Sequence, residues 1–171
     1  MLFFLPELNN SALFALWSLP FVLPLCFIVA WSDMRAMRIP NWCVLGLFAT
    51  YILIGIFTLS FTSFLWGFVS LILVLLIGFF MSAVGMIGAG DAKFAAAAAP
   101  FIASADYRFF VALFAANIIA AFMTHRMIAK TKMTDLAPTW DSWERTWEFP
   151  MGLSLGGTLA LYMILSAIMG A

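Results

Sequence analysis

The sequence predicts an all-α, polytopic membrane protein with six transmembrane helices and its N-terminus outside. Three observations carry that expectation. Of the 171 residues, 65% are hydrophobic and only 9% charged, whereas a soluble domain has about a quarter of its residues charged and under half apolar. The few charges stand between long uncharged stretches. When those stretches are threaded across a bilayer, the basic residues collect on one side. The balance of 8 Lys+Arg against 8 Asp+Glu leaves no global field to draw nucleic acid. Cys26 and Cys43 lie in apolar runs and provide neither a disulfide framework nor a CxxC pair.

Charge spacing places each span. There are 25 uncharged residues between Glu7 and Asp33, and 52 between Arg38 and Asp91. A further 12 separate Lys93 from Asp106, 16 separate Arg108 from His125, and 23 follow Glu148. A spanning helix needs about 20 apolar residues, and lipid tolerates no unpaired backbone, which excludes an open sheet. The longest interval holds two spans joined by the polar patch Ser60, Thr62 and Ser63. The expected spans are 11–32, 42–59, 64–87, 90–105, 107–127 and 150–170, all in one membrane-embedded domain over 1–171.

The first run is a span and not a secretory signal, because Met1 to Asn10 carries no Lys or Arg and the run is too long for an h-region. Pro20 and Pro24 are expected to kink it. The fourth run is short and contains Pro100, so the charges decide it. Six crossings put Arg35, Arg38, Lys93, Arg126, Lys130, Lys132 and Arg145 inside and Arg108 alone outside. Without the fourth crossing the division would be even, and the positive-inside rule favours six.

The same rule makes 128–149 a cytoplasmic loop. Within it Trp140, Trp143 and Trp147 fall in an arc of roughly 60° at 100° per residue, the pattern of a short helix lying in the interface. Its acids Asp135, Asp141, Glu144 and Glu148 could attract a basic peptide. His125 is expected to be an interfacial residue at the end of the fifth span, since no second His or nearby Cys completes a metal site. Gly78 and Ser82, with the alanines at 95–99, are expected to allow close helix contacts.

Asp33 and Asp91 both fall at the cytoplasmic edge of the membrane in this threading. Either has a plain structural explanation: Asp33 as a solvated helix-end residue near Arg35 and Arg38, Asp91 as the N-cap of the run Ala92 to Ala99. Their surroundings favour more. Asp91 follows Gly88-Ala89-Gly90, where glycines permit a sharp turn and close approach to a neighbour or an extended substrate. Asp33 is followed by Ile39-Pro40-Asn41, which stops one helix and starts another. Two acids on different helices at one depth suit general acid/base work. Two carboxyls sharing a partly desolvated site do not both ionise easily, so one takes a proton from water while the other polarises a peptide carbonyl. That is peptide hydrolysis needing no metal, cofactor or serine.

Asp33 with Ile39-Pro40-Asn41, then Gly88-Ala89-Gly90-Asp91-Ala92-Lys93 about fifty residues later, resembles the type IV prepilin peptidases, membrane aspartic proteases of the GxGD class. Pro150-Met151-Gly152 is a weaker match to that family's Pro-x-Gly near the final helix. The resemblance implies a bacterial inner-membrane endopeptidase that removes the basic leader of pilin-like precursors at the cytoplasmic face, just before their hydrophobic helix. It implies Asp33 and Asp91 as the catalytic pair. Gly88, Gly90, Lys93, Pro40 and Asn41 become substrate-binding or site-shaping residues. The implied partners are a prepilin substrate and the bilayer. Larger members carry a cytosolic segment with CxxC motifs and also methylate the new N-terminus. This chain lacks those motifs, so it resembles the small, core-only form of Flp/Tad-type pilus systems, and methyl transfer is not expected. Two competing readings are a small ion-coupled transporter, which predicts acids near the midplane and an inverted repeat, and a non-enzymatic subunit of a pilus or secretion machine.

Overall fold

The computed structural model describes residues 7–145 and 148–171. Among them the chain is helical, with a lone parallel bridge between Leu8 and Gly170. Helix α1 (Ala12–Ala36) starts at Ser11, whose hydroxyl accepts the Phe14 N–H, and runs through Pro20 and Pro24. It ends at Met37, which takes a left-handed conformation (φ 50°, ψ 41°) and returns its N–H to the Asp33 carbonyl at 2.9 Å. That cap turns the chain into α2 (Asn41–Thr58), whose N-cap is Pro40 with φ −65°. Helix α3 (Phe61–Ala83) follows the Ser60 cap and ends before Gly85, whose φ of 76° favours glycine. Then come α4 (Ala89–Ala98), α5 (Tyr107–Ile128), α6 (Asp141–Glu144) and α7 (Met151–Met169).

Helices α1, α2, α3 and α7, and α5 with the 3-10 turn before it, are long and apolar enough to cross a membrane. The chain is an all-α, multi-pass membrane protein. The fourth segment differs from the expected helix over 90–105: it ends at Ala98 and continues as a 3-10 turn over Ala99–Phe101. Pro100 is the cause, having no N–H to give and a ring that clashes with the carbonyl one turn back. Its path is nevertheless long. It starts beside the Asp33 end of α1 and finishes at Asp106, which bonds the backbone of Asn9 and Asn10 at the other end. Residues 89–106 therefore reach from one end of the bundle to the other.

Helix α1 packs chiefly on α7 and then on α2, while α3 lies on α4 and α5 on α7. Small residues allow the close approaches. A Cβ on Gly156 would lie 2.8 Å from the Cys26 carbonyl oxygen, and one on Gly78 would lie 2.9 Å from the Ala92 Cβ, so the expected contact at Gly78 is present. Asn117 joins α5 to α7 by donating to the Ser154 carbonyl at 3.0 Å and the Thr158 hydroxyl at 2.9 Å. Inside, Phe14 stacks on Phe101 and Tyr51 sets its ring edgewise to both. Outside, large apolar side chains such as Phe57, Ile77, Phe80 and Ile119 are exposed, as expected where the solvent is hydrocarbon.

Candidate active site

The buried stripe of α1 includes Val22, Cys26, Val29 and Asp33, spaced four, three and four apart and therefore on one helix face. The face that buries apolar residues carries Asp33 inward with them, and only 5% of it is exposed. Asp33 is thus not a solvated helix-end residue. It meets the start of α7, where the Gly152 N–H donates to its Oδ2 at 2.6 Å. The first N–H groups of a helix have no partner within it, and a carboxylate is a natural acceptor there. A side chain at 152 would intrude, since its Cβ would lie 2.9 Å from the Asp33 Cβ and 3.0 Å from Oδ2.

Asp91 is not the N-cap of α4. Gly88 holds that position, and Asp91 is the third helical residue, where an acid can fold back over the cap. It does so: a Cβ on Gly88 would lie 2.6 Å from Asp91 Oδ2. A side chain at 88 would therefore displace the Asp91 carboxylate. Gly90 has more room, its Cβ lying 3.4 Å from the Ile39 Cβ, an ordinary contact.

Asp33 and Asp91 line one cavity of about 300 Å³. Gly88, Gly90, Asn41 and Lys93 line it as well, together with Arg38 and Ile39. Pro40 is not in the lining; it fixes the bend that brings Asn41 there. The cavity therefore holds two carboxyls from different helices and two basic side chains. The ion pair seen among the described residues, Arg145 with Glu148 at 3.0 Å, lies on the surface away from it. Among those residues no three His, Cys, Asp or Glu side chains gather as a metal site would require. A larger cavity, about 390 Å³, opens at the other end of the bundle, and its lining carries no acid, His, Cys or Lys.

The structure adds contacts that the sequence did not show. His125 lies in the last turn of α5 and is buried there: it is 2% exposed, stacks on Trp143 with ring centres 4.8 Å apart, and has no hydrogen-bond partner for either ring nitrogen among the described residues. The indoles of Trp140 and Trp143 pack on protein, Trp140 standing edgewise on Trp31 at 5.0 Å and stacking on Trp143. Trp147 lies outside the described residues. Asp106, given no role from sequence, is buried at the far end of the bundle. It accepts from the Asn9 and Asn10 backbone, the Asn9 side chain and the Tyr162 hydroxyl. The only sequence signal for it was an acid alone between two apolar runs. For Gly152 the signal was the Pro150-Met151-Gly152 match, which named no partner.

A bundle of apolar helices with a cavity lined by two carboxyls at one end defines a membrane-embedded protein with a polar site inside its bundle. The model of the type IV leader peptidase family matches residues 21–125, and the chain belongs to that family. No curated protein and no solved structure gives a significant match. The matched region contains Asp33 and Asp91 but ends before Gly152.

Proposed function

We propose that this chain is a membrane aspartic endopeptidase that removes the basic leader from type IV, Flp-like prepilins at the cytoplasmic face of the bacterial inner membrane. Asp33 and Asp91 are its catalytic pair. The observation that carries this reading is the shared cavity: carboxyls that are 58 positions apart in sequence line one space at one end of the bundle. The whole chain acts as one membrane domain with six crossings, the segment 89–106 making the fourth and the N-terminus lying outside.

The chemistry needs one carboxylate and one carboxylic acid. The carboxylate takes a proton from a water molecule as the water oxygen attacks the scissile carbonyl carbon. The acid gives its proton to the carbonyl oxygen, so a neutral gem-diol forms. Collapse of that diol breaks the C–N bond. The carboxyl that gained the water proton passes it to the leaving nitrogen, and a diol proton returns to the other carboxyl. Products are a leader carboxylic acid and a new amino terminus, with no metal or cofactor consumed. Gly88 and Gly152 shape the pocket around the two acids, Gly90 and Asn41 line the path of the extended substrate, and Lys93 contributes positive charge at the rim. Pro40 holds Asn41 in place.

Purified protein in liposomes with a pilin precursor tests this. Wild type should shorten the precursor, while Asp33→Asn and Asp91→Asn should express, fold and leave it intact. Cleavage surviving in either variant removes that aspartate from the mechanism, and processing by neither wild type nor variants favours an assembly subunit.

A further inference from the structure

Helices α2 and α3 meet closely at the end of the bundle near their connecting turn, where the Tyr51 hydroxyl donates to the Phe64 carbonyl and the two rings stack at 5.5 Å. Toward the aspartates they part. Between them is a cleft of about 190 Å³ whose walls include Leu45 of α2 and Leu71 and Leu75 of α3. Its floor is Ala96 and Ala97 of α4. Leu45 and Leu75 are exposed, at 65% and 41%, so the cleft is open to the hydrocarbon. Lys93 lines both this cleft and the cavity of Asp33 and Asp91. The two spaces therefore lie on either side of one residue, and the alanine floor of the cleft is one turn along α4 from it.

We infer that the α2–α3 cleft is the docking groove for the hydrophobic helix of the precursor. This rests on the leader-peptidase reading, which it extends from the scissile bond to the segment after it. A precursor cut immediately before an apolar helix must place an extended bond at the carboxyls and a helix in lipid within a few residues. The cleft supplies that geometry, because it adjoins the cavity at Lys93 and lies one turn further along α4. An alanine floor lets a guest helix approach α4 closely, and close approach is how helices associate where lipid removes any hydrophobic gain. The leucine walls offer only dispersion contacts, so the groove selects for an apolar helix and not for a particular sequence.

Two measurements test the groove. First, a photo-reactive amino acid is placed at Leu45, at Leu75, or at Ile119 on the distant face of α5, each in the Asp91→Asn background to trap the precursor uncut. Adducts at 45 and 75 but not at 119 are expected; labelling of lipid alone at 45 and 75 overturns the inference. Second, Leu45→Trp and Leu71→Trp narrow the groove from its walls. The KM for the full precursor should rise at least fivefold with kcat within twofold of wild type. A parallel fall in kcat with unchanged KM, or no change, also overturns it. Wild type that leaves the precursor uncut defeats the leader-peptidase reading itself, whereas cleavage by wild type without adducts at 45 and 75 defeats only the groove.

Discussion

The Gly152 N–H reaches the Asp33 carboxylate at 2.6 Å across 119 positions of sequence. The start of the last helix is therefore part of the wall that holds one acid of the site. Gly152 also leaves no space for a side chain, because a Cβ there would press on the Asp33 Cβ and Oδ2 together. Gly152→Ala should leave melting within a few degrees of wild type, since alanine is the better helix former by up to about 1 kcal/mol. Processing should fall by about 10- to 100-fold, the usual effect of moving a reacting group by an ångström or less. Steady-state kinetics alongside a detergent melting curve checks both halves.

The two glycines before Asp91 should separate. Gly88→Ala pushes a methyl onto Asp91 Oδ2, whereas Gly90→Ala meets Ile39 at an ordinary distance. Gly88→Ala should reduce kcat by about tenfold or more, and Gly90→Ala by much less. Equal losses in precursor cleavage would mean that substrate, and not the carboxylate, explains the pair.

At the opposite end, Asp106 accepts from the Asn9 and Asn10 backbone and from the Tyr162 hydroxyl at 2.9 Å, tying the entry to α1 to the start of α5 and to the second half of α7. Asp106→Ala strands those donors. A cost of about 2–4 kcal/mol is expected, from about 1–3 kcal/mol for each buried unsatisfied group. Melting should drop by several degrees, while the rate measured well below the transition changes little because the cavity of Asp33 and Asp91 lies at the other end.

The aromatic stack that runs Trp31, Trp140, Trp143, His125 binds the short α6 to α1 and α5, and Trp31 lies two residues before Asp33. Trp143→Ala removes both stacking partners' contact, about 0.5–1.5 kcal/mol for each pair beyond burial. Limited proteolysis should cut residues 129–145 faster than in wild type, and Trp143→Phe should restore most of the protection.

Much of this arrangement was legible in the sequence. Charge-free intervals gave the helices at 12–36, 41–58, 61–83, 107–128 and 151–169 to within a few residues, because burial of a charge in lipid is costly wherever it falls. The candidate pair Asp33 and Asp91 could be named because each stands in a local pattern of glycines or proline. Tertiary relationships were harder. Nothing near Asp106 in sequence shows that it will accept from Asn9 and Tyr162, and nothing near His125 shows that Trp143 will stack on it. The end of α4 at Ala98 is a local effect of Pro100 that the charge count could not register, since it locates crossings and not their backbone geometry.

The two carboxyls belong to different helix pairs: Asp33 to α1, packed on α7, and Asp91 to α4, packed on α3 through Gly78 and Ala92. Their separation therefore depends on how the two pairs seat against each other through α2 and α7. Tilt is what helices adjust when the surrounding hydrocarbon grows thinner or thicker, at a cost of fractions of a kcal/mol per ångström. Acyl-chain length then becomes a dial on turnover: vesicles of short, matched and long lipids should give a rate that peaks at the matched thickness and declines on both sides, with no residue altered.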